Sequence, residues 1–206
     1  MWRAIVLISF LCLAGCGERP ASPFTNIDIT GAEFGRSLLG LKDHHGQPRT
    51  LADYQGKVVL IFFGYTFCPD VCPTTLARIS EVMKQLGGDA DQVQVLFVTL
   101  DPERDTPDKL AAYVTWFYPG FVGLYGDEPA TEAAAREFKV YYAKSKGSEG
   151  MGYAIDHSTG SYVLDSKGRL RLYLKENATV DAITADLKRL LADLRAHVSI
   201  RTNTYL

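Results

Sequence analysis

The sequence has little excess of either charge, no internal repeat, no low-complexity segment and no apolar run suited to crossing a membrane. Its 206 residues include 22 Lys and Arg against 24 Asp and Glu, a formal net charge of -2. This balance gives no indication of nucleic-acid binding or of an electrostatic membrane-binding surface. The apolar run near the start, Ala4–Ala14, is shorter than the ~20 residues that a spanning helix needs. The composition is that of one globular domain.

The first twenty residues, MWRAIVLISFLCLAGCGERP, have the order of an export signal. Arg3 precedes the apolar run, and the LAGC ending at Cys16 resembles a bacterial lipobox, in which the signal is cut before the cysteine and that cysteine carries lipid. The alternatives are ordinary cleavage near Ala14 or Gly15, with Cys16 as an incidental thiol, and an uncleaved anchor. We expect an exported protein that is lipid-anchored to a bacterial membrane and faces the periplasm or the cell exterior.

Cysteine is scarce, and two of the four residues belong to the leader: Cys12 lies in the signal and Cys16 at the lipid site. The folded domain is left with Cys68 and Cys72, each followed by proline in FFGYTFCPDVCPTTL. In an oxidising compartment such a pair tends to form a disulfide. A link between residues four apart closes a very small loop and removes little entropy from the unfolded chain, so stability is a poor reason for it. Electron transfer and metal binding are the alternatives.

Apolar periodicity predicts parallel strands joined by helices. Continuous apolar runs at Lys57–Phe63 and Val93–Leu100 are typical of strands buried on both faces, and Thr74–Leu86 between them has helical spacing. Two more helices, a hairpin and a long amphipathic helix follow, over residues 106–117, 129–140, 160–174 and 179–197. This order predicts an α/β fold, a thioredoxin-like three-layer sandwich. Upstream, residues 34–57 predict an extra N-terminal β-hairpin with its turn at Asp43–Gly46.

Pro73 decides where the helix after the cysteines begins. If Cys68 were the N-cap, Pro73 would lie inside the helix and remove a backbone hydrogen bond. The helix is therefore predicted to begin near Cys72, with Cys68–Val71 forming a turn. Both sulfurs then face a helix N-terminus, whose free N–H groups and dipole lower the pKa of a cysteine. Metal binding and redox exchange both use that property, so it does not separate them.

Three other observations favour a metal. Dithiol oxidoreductases of this fold usually have two residues between their cysteines, and this sequence has three. They also usually carry a cis-proline before the hairpin, whereas all nine prolines here lie at or before Pro129 and that position has Thr159 and Gly160. Finally, His157 is predicted in the loop entering the hairpin, from which this fold aims a group at the cysteine pair.

Cys68, Cys72 and His157 make a soft set of two thiolates and one imidazole. Structural zinc needs four ligands in a closed shell, which the chain does not evidently supply. Cu(I) accepts low coordination and prefers thiolate, and an added nitrogen also holds Cu(II). Copper is therefore the predicted metal, with a catalytic zinc that carries water as its fourth ligand as the alternative. The remaining histidines are predicted not to be ligands: His44, His45 and His197.

Three motifs, GYTFCPDVCPTTL, DPERDTP and DHSTGSYVLD, have the order and spacing of the Sco/SenC copper proteins, which the chain resembles from about residue 34 to residue 195. The resemblance implies a thioredoxin-like fold, a membrane tether and copper held by Cys68, Cys72 and His157. It also implies assistance in assembling the dinuclear copper centre of cytochrome c oxidase. The implied partners are the copper-bearing subunit of that oxidase and a periplasmic copper donor.

On this interpretation residues 1–15 are a lipoprotein signal peptide, 16–30 a tether, 31–197 the thioredoxin-like copper-binding domain and 198–206 a C-terminal tail. The protein is then a metallochaperone rather than an enzyme. The rival function is a membrane-tethered thiol-disulfide oxidoreductase that cycles a Cys68–Cys72 disulfide, and a third is a copper-dependent redox sensor.

The motif DPERDTP, Asp101–Pro107, is predicted to be a strand-to-helix loop with Thr106 as N-cap and a local Asp–Arg pair. It follows the C-terminal end of a parallel strand, where α/β sheets gather functional loops. Asp101 or Asp105 is therefore a candidate to orient His157 or a partner.

Overall fold

The structure is a computed structural model that describes residues 22–147 and 152–203, so the predicted signal peptide, Cys12 and Cys16 lie outside the described residues. The described residues form nine strands and four α-helices. The strands are β1 (Ile27–Asp28), β2 (Lys42–Asp43), β3 (Val58–Gly64), β4 (Val93–Thr99), β5 (Val122–Tyr125), β6 (Tyr142–Lys146), β7 (Tyr153–His157), β8 (Ser161–Leu164) and β9 (Leu170–Leu174). The helices are α1 (Val71–Leu86), α2 (Pro107–Phe117), α3 (Glu128–Glu137) and α4 (Val180–Asn203), with 3-10 turns at Leu51–Tyr54 and Gly87–Gln92. None of the described helices is both long and apolar enough for a bilayer span.

Seven strands form the central sheet, in the order β1-β9-β8-β3-β4-β5-β2. The strands β3, β4 and β5 are parallel, with Val58 opposite Val93, because the helices α1 and α2 return the chain along the sheet. Strand β8 runs antiparallel to β3 on its other side. Every residue of β3 is buried, which explains why VVLIFFG is apolar without alternation. The predicted α/β class with a helix-covered sheet is confirmed.

Helix α4 packs against α1 through the apolar face predicted for it. The side chains that form this face are at most 3% exposed: Ile183, Leu187, Leu190 and Leu191. The helix continues to Asn203. His197 therefore lies within α4 rather than at its C-terminus, and the boundary drawn after residue 197 falls inside the helix.

Helix α1 begins at Val71, one residue earlier than predicted. A hydrogen-bonded turn precedes it at Tyr65–Cys68, in which the Cys68 N–H donates to the Tyr65 carbonyl at 3.3 Å, and the chain bends again at Pro69 and Asp70, inside the turn predicted at Cys68–Val71. The carboxylate of Asp105 holds the first turn, because it accepts hydrogen bonds from both the backbone N–H and the hydroxyl of Thr66, at 3.0 and 2.6 Å. This contact between residues distant along the chain was not predicted.

The extra N-terminal hairpin is present in reduced form. Its turn lies at Asp43–Gly46 as predicted, where the Gly46 N–H donates to the Asp43 carbonyl at 2.8 Å. One antiparallel bridge joins Lys42 and Pro48, and β2 pairs with β5 at the edge of the central sheet.

Strands β6 and β7 form a separate antiparallel sheet, which the sequence did not predict. His157 is the last residue of β7 and lies opposite Tyr142. It is therefore at a strand end and not in the loop predicted for it. Residues 158–160 form the connection into β8. Most residues of the two strands are exposed or half-buried, so they carry no apolar run from which the pairing could be predicted.

The N-terminal segment is fastened to α4 by Asp186. This carboxylate is 0% exposed and accepts hydrogen bonds from the Thr25 N–H, at 2.9 Å, and from the Asn26 N–H and side-chain amide, both at 2.8 Å. Hydrogen bonds to a charged group are about twice as strong as neutral ones. This cluster therefore fixes where the chain enters the domain.

We expect Asp186→Ala to lower the free energy of unfolding by about 2 kcal/mol, because three donors lose a charged acceptor. Urea denaturation measures this loss. The control is Asp181→Ala in the same helix, whose exposed carboxylate accepts one bond from the Gln85 amide; its loss is expected to stay below about 1 kcal/mol. Equal losses in the two variants would contradict the role assigned to Asp186.

Candidate metal centre

Cys68 and Cys72 lie at the C-terminal edge of the central sheet, where β3 passes through the turn Tyr65–Cys68 into α1. Cys72 is in the first turn of the helix and 0% exposed. Cys68 precedes the helix and is partly exposed, and both cysteines are free thiols. The Cys72 N–H donates to Cys68 Sγ at 3.4 Å, so a free N–H of the helix N-terminus points at the outer sulfur.

The imidazole of His157 completes the site from β7. Its Nε2 lies 3.5 Å from Cys72 Sγ, and its Nδ1 donates to the Ser158 carbonyl at 2.8 Å. Because a carbonyl only accepts, Nδ1 holds a proton, and Nε2 is the nitrogen that faces the sulfur. The ring packs edge-on against Tyr65 and Phe62, with centroid distances of 5.9 and 6.3 Å. Metal-binding histidines typically have one nitrogen bonded to a backbone carbonyl and the other free.

The three predicted ligands are brought together. One donor atom from each of Cys68, Cys72 and His157 lies within 4.8 Å of the others, and no other group of three or more such side chains is found among the described residues. Two sulfurs and one imidazole nitrogen suit a soft ion of low coordination number, such as Cu(I). Within the same ranges no fourth protein ligand joins the group, so a closed structural zinc site does not fit.

Two glycines, Gly64 and Gly160, stand where there is no space for a side chain. A Cβ on Gly64 would lie 2.7 Å from Cys72 Sγ, and one on Gly160 would lie 2.2 Å from the Tyr173 ring. Any side chain at either position requires its neighbour to move. The contact at Gly160 explains why no proline occupies this position, and residues 22–147 and 152–203 contain no cis peptide bond.

The two thiols differ in acidity. The hydrogen bond from Cys72, with a smaller contribution from His157, lowers the pKa of Cys68 to about 3 and outweighs the burial that would raise it. The bond to Cys68 and the burial of Cys72 both raise the pKa of Cys72. The free pair therefore holds one negative charge, on the outer sulfur, and the inner thiol is the proton donor.

Asp101 and Asp105 are buried beside the site, but neither forms a hydrogen bond or ion pair with His157. Asp101 pairs with Arg104, as the predicted Asp–Arg pair requires, and accepts from the Tyr153 hydroxyl at 2.7 Å. Besides holding Thr66, Asp105 accepts from the Thr99 hydroxyl at 2.6 Å, and its burial raises its pKa. The two carboxylates therefore brace the segments that carry the ligands.

Sequence reasoning missed the residues that support the ligands: Gly64, Tyr65, Thr66, Arg104 and Tyr153. Only Tyr153 lies outside the motifs that were singled out; the other four lie within them but were given no supporting role. Of the other histidines, His44 and His45 have side chains that the structure describes. His44 Nδ1 accepts from the Gly123 N–H at 3.0 Å, and neither it nor His45 belongs to the metal-binding group.

The family model described as SCO1/SenC matches residues 30–192 of the chain. The chain is 35% identical over 183 residues to an SCO2-like protein of Rickettsia felis, covering 84% of this chain and 87% of that protein. It is 37% identical over 163 residues to the mitochondrial SCO2 homolog of Mus musculus, covering 78% of this chain and only 64% of the mouse protein. Among solved structures, Bradyrhizobium japonicum ScoI with copper bound has a TM-score of 0.70 and 40% identity over 76% of this chain and 99% of that one. The likeness confirms the predicted thioredoxin-like fold.

We expect Gly64→Ala to destabilise the domain by about 1 to 3 kcal/mol, because the added methyl group overlaps Cys72 Sγ in a packed core. It should also weaken metal binding, since the inner sulfur has to shift. Urea denaturation and a metal titration measure the two effects. Gly88→Ala is the matched control, because nothing lies within 4 Å of its added Cβ. If both variants bind metal as the unmodified chain does, Gly64 does not set the position of Cys72.

The low pKa of Cys68 predicts how the rate of its alkylation depends on pH. Because the thiolate is the nucleophile, the rate of Cys68 modification by iodoacetamide should change little between about pH 5 and about pH 8, whereas an ordinary thiol reacts faster with each rise in pH. Cys72→Ala removes the thiol that donates to the Cys68 thiolate and keeps only the backbone N–H at 3.4 Å, so the rate should then rise with pH. Mass spectrometry of quenched samples follows both proteins. A rate that rises steeply with pH in the unmodified chain would show that the Cys68 pKa is ordinary.

Proposed function

Because the chain belongs to the SCO1/SenC family, we propose that it is a metallochaperone that binds Cu(I) or Cu(II) through Cys68, Cys72 and His157 and assists assembly of the dinuclear copper centre of cytochrome c oxidase. The observation that carries the proposal is the 3.5 Å contact between Cys72 Sγ and His157 Nε2. This contact places an imidazole beside the cysteine pair, and disulfide exchange does not need an imidazole there. The Bradyrhizobium relative, which holds copper, supports the choice of metal.

Copper is the cargo of this site. Cys68 already carries the negative charge, and Cys72 gives up its proton as the metal binds, because a thiolate and not a thiol is the ligand. His157 contributes Nε2, since its Nδ1 is bonded to the Ser158 carbonyl. Binding Cu(I) therefore releases the Cys72 proton and changes no oxidation state.

The unequal burial of the two cysteines suits the transfer of copper to a partner protein. A thiolate of the copper-bearing oxidase subunit reaches the metal from the side of the partly exposed Cys68 and replaces the protein ligands one at a time. The metal keeps its charge throughout, and each displaced sulfur is free to take up a proton. Buried Cys72 is the ligand hardest to reach, and we propose that it leaves last.

A thiol-disulfide oxidoreductase is the second candidate, and the low pKa of Cys68 favours it. In that reaction the Cys68 thiolate attacks a disulfide of the target and forms a mixed disulfide. The Cys72 thiolate then attacks Cys68 Sγ, which releases the reduced target and leaves a Cys68–Cys72 disulfide. This mechanism gives His157 no ligand role.

We propose that a lipid on Cys16 anchors the domain to a bacterial membrane, with the site facing the periplasm or the cell exterior. The Asp186 cluster holds the chain at Thr25, nine residues after Cys16. An extended chain of that length reaches about 30 Å. The domain would therefore work close to the membrane surface, where a membrane-bound oxidase subunit presents its copper site.

Titration of the reduced domain with Cu(II) tests the proposal. We expect a thiolate-to-copper charge-transfer band in the visible spectrum that saturates at stoichiometric copper. The band should be weakened or lost in His157→Ala and unchanged in His45→Ala, since exposed His45 lies outside the metal-binding group. In cells, His157→Ala should lower oxidase activity and His45→Ala should not.

One result would reverse the ranking of the two candidates. If the copper is reduced at once and released while Cys68 and Cys72 form a disulfide, and this happens identically in both histidine variants, His157 is not a ligand. The oxidoreductase function would then be favoured.

A further inference from the structure

The strand that carries His157 is not part of the seven-stranded sheet. β7 pairs only with β6, so the backbone ladder that fixes the cysteine-bearing segment does not extend to the histidine. Among the described residues, two side chains outside the small sheet bond the backbone of this strand to the rest of the domain. The Tyr65 hydroxyl accepts from the Ile155 N–H at 3.3 Å, and Arg104 Nη1 donates to the Tyr153 carbonyl at 2.8 Å.

Arg104 also touches the segment that carries the cysteines. Its guanidinium carbon lies 3.6 Å from the ring centroid of Tyr153, 4.9 Å from that of Phe67 and 5.8 Å from that of Tyr65. Phe67 directly precedes Cys68, and the Tyr65 ring packs against His157. The side chain is 17% exposed. One guanidinium thus lies between the turn that bears Cys68 and the strand that ends at His157.

Asp101 holds this guanidinium in place. The carboxylate is 0% exposed, pairs with Arg104 Nε and accepts from the Tyr153 hydroxyl. A guanidinium has a flat face for stacking and several donors fixed in one plane, so it can stack, pair and bond to a carbonyl at once. A lysine ammonium has no flat face and cannot replace these contacts together.

We propose that Arg104 is a positioning residue of the metal centre: by joining the Phe67–Cys68 turn to Tyr153, it holds His157 at the distance from the cysteines at which all three ligands share one ion. This inference rests on the proposed copper site. Arg104 contacts none of the three ligand side chains through a hydrogen bond, so it acts through the strand and the turn.

The first test measures Cu(I) affinity by competition with a chromophoric chelator. We expect Arg104→Met to weaken binding by about 10- to 100-fold, the usual cost of removing a group that supports a ligand. Arg136→Met is the matched control, since Arg136 makes an exposed ion pair on α3; its affinity should equal that of the unmodified chain. Arg104→Lys, which keeps the charge beside Asp101, should lose affinity to an intermediate degree.

A double-mutant cycle separates positioning from general stability. If Arg104 acts through His157, Arg104→Met should cost little in a His157→Ala background, because the ligand that it positions is already gone. A full additive loss in that background would overturn the proposal. If the unmodified chain binds no copper, the proposed function fails first, and only the metal-free test described next bears on Arg104.

That test is amide hydrogen exchange in the metal-free protein. We expect Arg104→Met to speed exchange in β7 and to leave β3 and β8 unchanged. Tyr153→Phe, which keeps the ring and removes the hydroxyl that bonds Asp101 and Glu103, gives the same readout more weakly if Arg104→Met does not fold. Unchanged exchange of β7 in a folded variant, or equal acceleration in all three strands, would contradict the positioning role.

Discussion

Two chain segments 85 residues apart meet where the Cys72 sulfur faces the His157 ring, and the rest of the site depends on that contact. On the cysteine side, the sulfur fits because Gly64 has no side chain and because α1 begins close to the end of β3. On the histidine side, Nε2 is free because Nδ1 is bonded to the Ser158 carbonyl. A soft metal ion binds here only if the sulfur and the imidazole nitrogen face the same point.

The two halves of the site are held by different means. Cys68 lies between β3 and α1 and Cys72 in the first turn of α1, and both follow a buried strand that is paired on both sides. The histidine sits on a small sheet that relies on Arg104, Tyr65 and Tyr153. A firmly held pair of sulfurs with a less firmly held imidazole is suited to an ion that must be bound and then released. The partly exposed Cys68 leaves one side of the ion open to an incoming ligand.

Much of the fold could be predicted from local patterns. The strand β3 is continuously apolar because both of its faces are covered, and α2 begins at Thr106 and Pro107 with the cap that the sequence indicates. The grouping of Cys68, Cys72 and His157 was also predicted, although His157 lies at the end of a strand and not in the loop entering the hairpin. The strand and the helix cap depend on residue types at short separations, whereas the grouping depends on the order of the elements.

Contacts between distant residues could not be predicted in the same way. The pairing of β6 with β7 leaves no apolar pattern in the sequence. The hydrogen bonds between Asp105 and Thr66 join residues 39 apart in the chain, and those between Asp186 and Thr25 join residues 161 apart. The contacts of Arg104 unite three segments, and no spacing within DPERDTP signals them. Such interactions follow from the tertiary packing and become visible only in the folded chain.

X-ray absorption at the copper edge, on the reduced domain loaded with stoichiometric Cu(I), counts the atoms bound to the metal and therefore tests the three-ligand site. We expect two sulfur scatterers and one imidazole nitrogen, with the nitrogen absent in His157→Ala. A spectrum with sulfur alone, identical in the two proteins, would contradict the three-ligand site.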